Sequence, residues 1–439
     1  MKKIFYIALL SILFLGCSKE KTELVFGEAP EERISEELTQ WKTALVSAPN
    51  GWIAGMGTSA KGGYGFYMKF ADDDKVTMYS DYNTASAKTS QTSTYRLKWG
   101  MKGTLIFDTY NYLSIMQDPV PGVAGGAAGK GYQSDVEFEF ARLSGDSAIF
   151  TGKKYQNTLV LVKATKTQEE QFQKGDYETS IAKFNSFFNT NAYLKLSINN
   201  VVQQVAFDLA NKSLSFTSLQ EDGAFNAKSA KFYYSMNTIE ILDGLVIDNI
   251  AMKGFSISAN GTLVALDGAG KEYNIEVVDK PVFPFELYFN YNKTYNAIYI
   301  EGSKMPAGVT SDFNTLWNNQ IANYTANGVS MISMTFRLIS SKQAKLEVWF
   351  QSGTTNYLAD ASYDYVISGN TIKLSNYVPS VSNANWNNGW VIAAIKNYFI
   401  DAEFEMAWVA SSTSKSAMIG GLIKKNTPTS FFYGNVKKM

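Results

Sequence analysis

Three groups of residues in this 439-residue chain have types and spacings that could do chemistry. The first is a pair of acidic runs. Asp135, Glu137 and Glu139 alternate with Val136, Phe138 and Phe140, and Asp401, Glu403 and Glu405 alternate with Ala402, Phe404 and Met406. Alternate residues of a strand share a face, so each run sets three carboxylates side by side. Paired carboxylates can cleave glycosides, and clustered ones can hold calcium. The wet face of a half-buried antiparallel strand has the same pattern, and Phe138 and Phe140 on the other face favour that simpler reading.

The second group is the glycine-rich run from Gly122 to Gly131, which includes Lys130. A phosphate loop would need Gly where Ala124 stands and Ser or Thr where Gly131 stands. The expectation is therefore a mobile surface loop, entered through the stiff Asp118-Pro119-Val120-Pro121. The third group is Asn383-Ala384-Asn385-Trp386-Asn387-Asn388-Gly389-Trp390. Indole faces stack on sugar rings and other flat groups, and Asn amides both donate and accept. Trp386, Asn387, Asn388 and Trp390 form the candidate ligand site, with Tyr110 and Tyr112 beyond the corresponding hairpin earlier in the chain. The competing reading is that Trp386 and Trp390, four residues apart, share one helical face and pack into the core.

What the composition lacks is equally informative. There is no histidine, and Cys17 is the only cysteine. The commonest general base and the commonest metal ligand are thereby missing, which excludes Ser-His-Asp triads, Cys-His pairs and structural zinc. Oxygen ligands alone remain, and these suit calcium or magnesium. No catalytic residue, cofactor or metal site is expected. The 40 basic and 40 acidic side chains balance, so there is no basic excess to grip nucleic acid.

The elements that must position these groups begin after an export signal. Lys2 and Lys3 precede an apolar run from Ile4 to Leu15, then Gly16 and Cys17. This is a signal peptide over 1–16, too short to span a bilayer. Leu13-Phe14-Leu15-Gly16-Cys17 resembles a lipobox, which makes Cys17 the lipid attachment residue and 17–29 a tether. The Ser18-Lys19-Glu20 that follows resembles the charged tag of surface-exposed Bacteroidetes lipoproteins, pointing to the outer face of the outer membrane.

Beyond the tether, Pro30 opens a helix whose Ile34, Leu38, Trp41 and Leu45 share a face. Alternating strands joined by short turns follow, which implies antiparallel pairing. Further helices start near 167, in a capping-box pattern, and near 311, each followed by more strands. One strand starts near 104, 238 and 371, at intervals of roughly 133 residues, as a repeat would. The two acidic runs lie twice that interval apart. The expected fold is mainly β (α+β). It has three helix-led antiparallel meander units, 30–166, 167–310 and 311–439, each an open barrel or a sandwich.

Pro30-Glu31-Glu32-Arg33-Ile34, Asn50-Gly51-Trp52, Gly62-Gly63-Tyr64 with Phe66 and Phe70, Lys75-Val76-Thr77-Met78 and Thr151-Gly152-Lys153-Lys154 keep their order behind Cys17. Together they resemble a family of Bacteroidetes lipoproteins catalogued as domain of unknown function family 4302. The resemblance implies no activity or cofactor. It does imply a setting beside outer-membrane nutrient-uptake systems. The first expectation is thus a surface-anchored lipoprotein that binds a glycan or peptide, held to the membrane by its lipid and associated with an outer-membrane transporter complex. The alternatives are a structural or assembly partner without its own ligand, and a carboxylate-only hydrolase.

Overall fold

The computed structural model describes residues 30–380 and 384–439. Cys17, the tether and Asn383 lie outside the described residues. The chain is mainly β. The described residues form 24 strands in three eight-stranded antiparallel sheets, and each closes on itself as an up-and-down barrel. The rings span Trp52–Lys163, Tyr193–Val278 and Ala297–Lys437. Closure settles the choice between barrel and sandwich that alternation alone left open. In the second ring the last strand returns to the first through Ile275↔Leu196 and Val277↔Leu194. In the third, Ile298↔Val436 does the same.

Short turns make this topology possible. Asn199-Asn200 and Asp248-Asn249 each hold two consecutive positive φ values, 48° and 66°, then 48° and 64°. That is the backbone of a two-residue hairpin whose twist matches its strands. The residues near 104, 238 and 371 lie in the fifth strand of their rings, Gly103–Phe107, Thr238–Ile247 and Thr371–Pro379. The two acidic runs enter the sixth strands of the first and third rings, Glu137–Ser144 and Glu403–Val409.

The expected boundary at 310 cuts through the third ring. Strand Ala297–Glu301 precedes the helix Phe313–Ala326 and pairs with strands on both sides. The third ring is therefore not helix-led; its helix is an insertion after the first strand. The helix nonetheless buries Phe313, Trp317 and Tyr324.

By contacts the chain divides into two compact units. One takes the described residues up to Ala54, Tyr67–Tyr79 and Ser90–Glu169. Here the first helix lays Trp41 flat on Phe140, ring centroids 4.2 Å apart. The other takes Gly55–Phe66, Ser80–Thr89 and everything from Glu170 onward, and so contains the second and third rings whole. In that unit helix Asp176–Thr190 covers one end of the second ring. It buries Tyr177, Phe184 and Phe188, and Phe188 stacks on Phe207 at 4.2 Å. No described helix is long and apolar enough to cross a membrane.

Candidate binding cleft

Helix Asp176–Thr190 has a second face. Glu178, Ile181, Ala182, Asn185 and Asn189 follow one another at helical spacing and form one wall of a cleft of about 450 Å³. The opposite wall comes from Tyr82, Asn83 and Thr84. Asn83 caps the short helix Thr84–Lys88, accepting the Ser86 N–H at 2.8 Å. Leu209, Ala210, Lys212 and Tyr234 close the cleft, with Asp81 beside them.

The floor is an ion pair. Lys212 Nζ lies 2.7 Å from Asp81 Oδ1 and donates to the Asp81 carbonyl at 3.1 Å. Both residues are buried, Lys212 to 8 % exposure. The ammonium also sits over the Tyr64 ring, 4.1 Å from its centroid. Asp81 Oδ2 accepts the Tyr234 N–H at 2.9 Å. Tyr177 donates to the Tyr234 carbonyl at 2.6 Å, and the Tyr234 hydroxyl donates to Asn185 Oδ1 at 2.6 Å. Burial pushes the Asp81 carboxyl up and the Lys212 ammonium down, and each partner's charge opposes that shift in the other. Burial likewise raises the Tyr234 phenol.

Glycines let the backbones come this close. A Cβ on Gly62 would stand 2.0 Å from the Lys212 carbonyl oxygen, and one on Gly65 would stand 2.1 Å from that of Tyr234. The Gly62-Gly63-Tyr64 run thus seats one hairpin on the residues that carry the ion pair, and Tyr64 then meets the ammonium.

Chemically, the cleft offers amides, phenols and one further carboxylate, Glu178. Lys212, the one ammonium among the described lining residues, is matched by Asp81. Asn189 is exposed, and its side-chain amide makes no hydrogen bond to a described residue.

The residues expected from sequence fall elsewhere. Trp386 is 2 % exposed, and its Nε1 donates to the Tyr377 hydroxyl at 2.6 Å. It belongs to the third ring's core and cannot offer its face to a ligand. Trp390 is half-buried, edge-on to Tyr324 and Phe350 at 5.6 and 5.7 Å, and its carbonyl accepts from Gln320. Asn387 and Asn388 are exposed. Tyr110 is exposed and donates to Asp118, and Tyr112 is partly buried. Both tyrosines belong to the other compact unit.

The acidic runs are mostly wet strand faces. Glu137 pairs with Lys153, Glu403 with Lys425, and Glu405 accepts from Asn370. Asp135 is the exception. It is buried before the strand begins, and its carboxylate accepts the N–H groups of Lys154, Tyr155 and Asn157. That is a structural role. Among the described residues no group of three His, Cys, Asp or Glu could hold a metal ion. The glycine run is a built loop with a helical turn at Pro121–Ala124 and a bridge from Ala127 to Gly131.

The sequence matches the family model described as a domain of unknown function, DUF4302, over residues 22–259. The chain belongs to the DUF4302 family. The matched stretch holds the whole first ring, the glycine hairpin, Asp81, Lys212 and Tyr234. No curated protein matches the sequence. Among solved structures, a Helicobacter pylori beta clamp in complex with 5-chloroisatin is similar at 11 % identity and a TM-score of 0.15, covering 93 % of this chain and 98 % of that one. A DUF3598 protein of unknown function from Nostoc punctiforme reaches 8 % and 0.14, covering 74 % and 99 %. Transferrin binding protein B from Haemophilus parasuis reaches 11 % and 0.14, covering 86 % and 65 %. Likeness at this level carries no argument about fold or function.

Proposed function

We propose that this DUF4302 member is a lipid-anchored binding protein on the outer-membrane surface, accessory to nutrient uptake, and that its cleft holds a neutral glycan. The observation that carries the reading is the lining of the cleft. Asn83, Asn185, Asn189, Tyr82 and Tyr234 supply amides and phenols around a space of about 450 Å³. Such a space takes roughly fifteen non-hydrogen atoms at liquid density, one sugar unit and part of the next. Paired donors and acceptors suit vicinal hydroxyls. Lys212, the one ammonium among the described lining residues, is matched by Asp81, and an acidic ligand would face Glu178.

A glycan fits better than an extended peptide. Peptides commonly add a strand to an open sheet edge, and closed rings remove such edges. Support for the anchor comes from Leu13-Phe14-Leu15-Gly16-Cys17 and Ser18-Lys19-Glu20. Fatty-acid labelling of cells tests the anchor, with Cys17→Ala expected to lose the label. A glycan array probed with the purified full-length protein tests the ligand, with retention of neutral oligosaccharides expected. Equal label in the variant removes the anchor, and a blank array removes the ligand.

A further inference from the structure

The end of the second ring opposite helix Asp176–Thr190 has an interior unlike the rest. Register fixes which side chains point inward. Gln203↔Ser218 and Val205↔Phe216 pair across one strand junction, and Ser218↔Asn226 and Phe216↔Lys228 across the next. Val205 and Phe216 are buried core, so Lys228, level with Phe216, and Gln203, Ser218 and Asn226, one rung nearer the mouth, line the same interior face. Interior positions of a small barrel are normally filled by packed side chains. Here four successive polar ones surround a cup of about 230 Å³. Phe216 and Ile247 are its apolar lining, and Asp248, in the Asp248-Asn249 turn, follows Ile247 at the rim.

Among the described residues, the Gln203 amide has no hydrogen-bond partner and the Lys228 ammonium has no counter-charge. Gln203 is 5 % exposed, yet its amide makes no hydrogen bond to a described residue. The amide keeps access to solvent in the cup, where a ligand's polar group can take the place of water. Lys228 donates to the Val246 carbonyl at 2.8 Å, which fixes its ammonium without neutralising it. Neither Lys228 nor Asp248 forms an ion pair with a described residue.

We infer that the mouth of the second ring is a binding site for a small zwitterion, a free α-amino acid, with its carboxylate at Lys228 and its ammonium at Asp248. Gln203 then donates to or accepts from the ligand's polar end, and Phe216 and Ile247 receive an apolar side chain. The cup has room for roughly eight non-hydrogen atoms at liquid density, the size of a small amino acid and less than a hexose. The site shares no residue with the glycan cleft and stands whether or not that reading does.

The test is a set of thermal melts and calorimetric titrations of the purified full-length protein with individual free amino acids, D-glucose, acetate and ethylamine. At least one neutral L-amino acid should raise the melting temperature, as any ligand selective for the folded state does. Glucose and the two half-ligands should not. Lys228→Met and Asp248→Asn should each weaken binding by about tenfold or more. Gln203→Leu should abolish binding while leaving the melting temperature unchanged or higher, which separates a ligand contact from a structural amide. Ala182→Trp, which fills the other cleft, should leave amino-acid binding intact. No shift with any amino acid overturns the inference, as does a shift that survives both Lys228→Met and Asp248→Asn or one matched by glucose.

Discussion

Lys212 and Asp81 stand 131 residues apart in sequence and 2.7 Å apart in space, buried together beneath the cleft. A buried ion pair is weak evidence for net stability, but breaking one strands a charge. No well-angled hydrogen bond reaches Asp81 Oδ1, so the ammonium is what neutralises it. Lys212→Met should therefore cost about 3–5 kcal/mol. The double variant Asp81→Asn with Lys212→Met should recover much of that loss. Denaturant melts of the three proteins decide it, and equal losses in the single and double variants would contradict the account.

The glycine hairpin carries its own prediction. Gly65→Ala places a methyl about 2.1 Å from the Tyr234 carbonyl oxygen, a distance that only backbone movement can relieve. Overpacking of this kind typically costs about 1–3 kcal/mol. Gly122→Ala is the control, because a Cβ there meets nothing within 4 Å. If Gly65→Ala melts with the control, the hairpin is not tightly seated.

Trp386→Ala should lose about 3–5 kcal/mol, as deletion of a buried aromatic does. Asn387→Ala, at an exposed position, should stay within about 0.5 kcal/mol of the parent. Thermal melts compare them. A negligible loss for Trp386→Ala would return the indole to the surface.

These outcomes reflect what a linear sequence can and cannot display. Strand alternation is local, so the meander, the antiparallel pairing and the equivalent strands near 104, 238 and 371 could be read directly. Ring closure depends on contacts such as Ile298↔Val436 between distant segments, and no local pattern announces it. Strand Ala297–Glu301 was missed for a related reason: its partners lie beyond an inserted helix and at the chain's far end. Asp135 shares the alternation of Glu137 and Glu139 but precedes the strand, so its burial depends on the turn at Lys154 and Tyr155. The cleft has no local signature in the sequence. Lys212 sits in a turn at a φ of 47° and looks like a solvated loop lysine. The one signal was Gly62-Gly63-Tyr64, whose glycines mark a close backbone approach without saying to what.

Glu240 supplies a pH dependence. Burial holds its carboxyl above the ordinary value, against the opposing effects of the Thr238 hydroxyl at 2.6 Å and Lys253. A raised folded-state pKa means the folded chain holds a proton that the unfolded chain has released. Its stabilising effect is complete below the unfolded value and is lost as pH rises through the folded one. Glu240→Gln should therefore raise the melting temperature at neutral pH, and the gain should shrink as pH falls toward the ordinary carboxylate range. A gain independent of pH, or a loss at neutral pH, would contradict this.

The central claim is that the cleft between Asn83 and Asn189 receives a neutral glycan. The most direct measurement is calorimetric titration of the parent and Ala182→Trp with the neutral oligosaccharide the parent retains best on an array. Ala182 is exposed on the cleft wall, so an indole there should fill the space while leaving the fold and melting temperature unchanged. The parent should bind, and Ala182→Trp should not. Undiminished binding by a folded Ala182→Trp, or a parent that retains no neutral oligosaccharide, would contradict the claim.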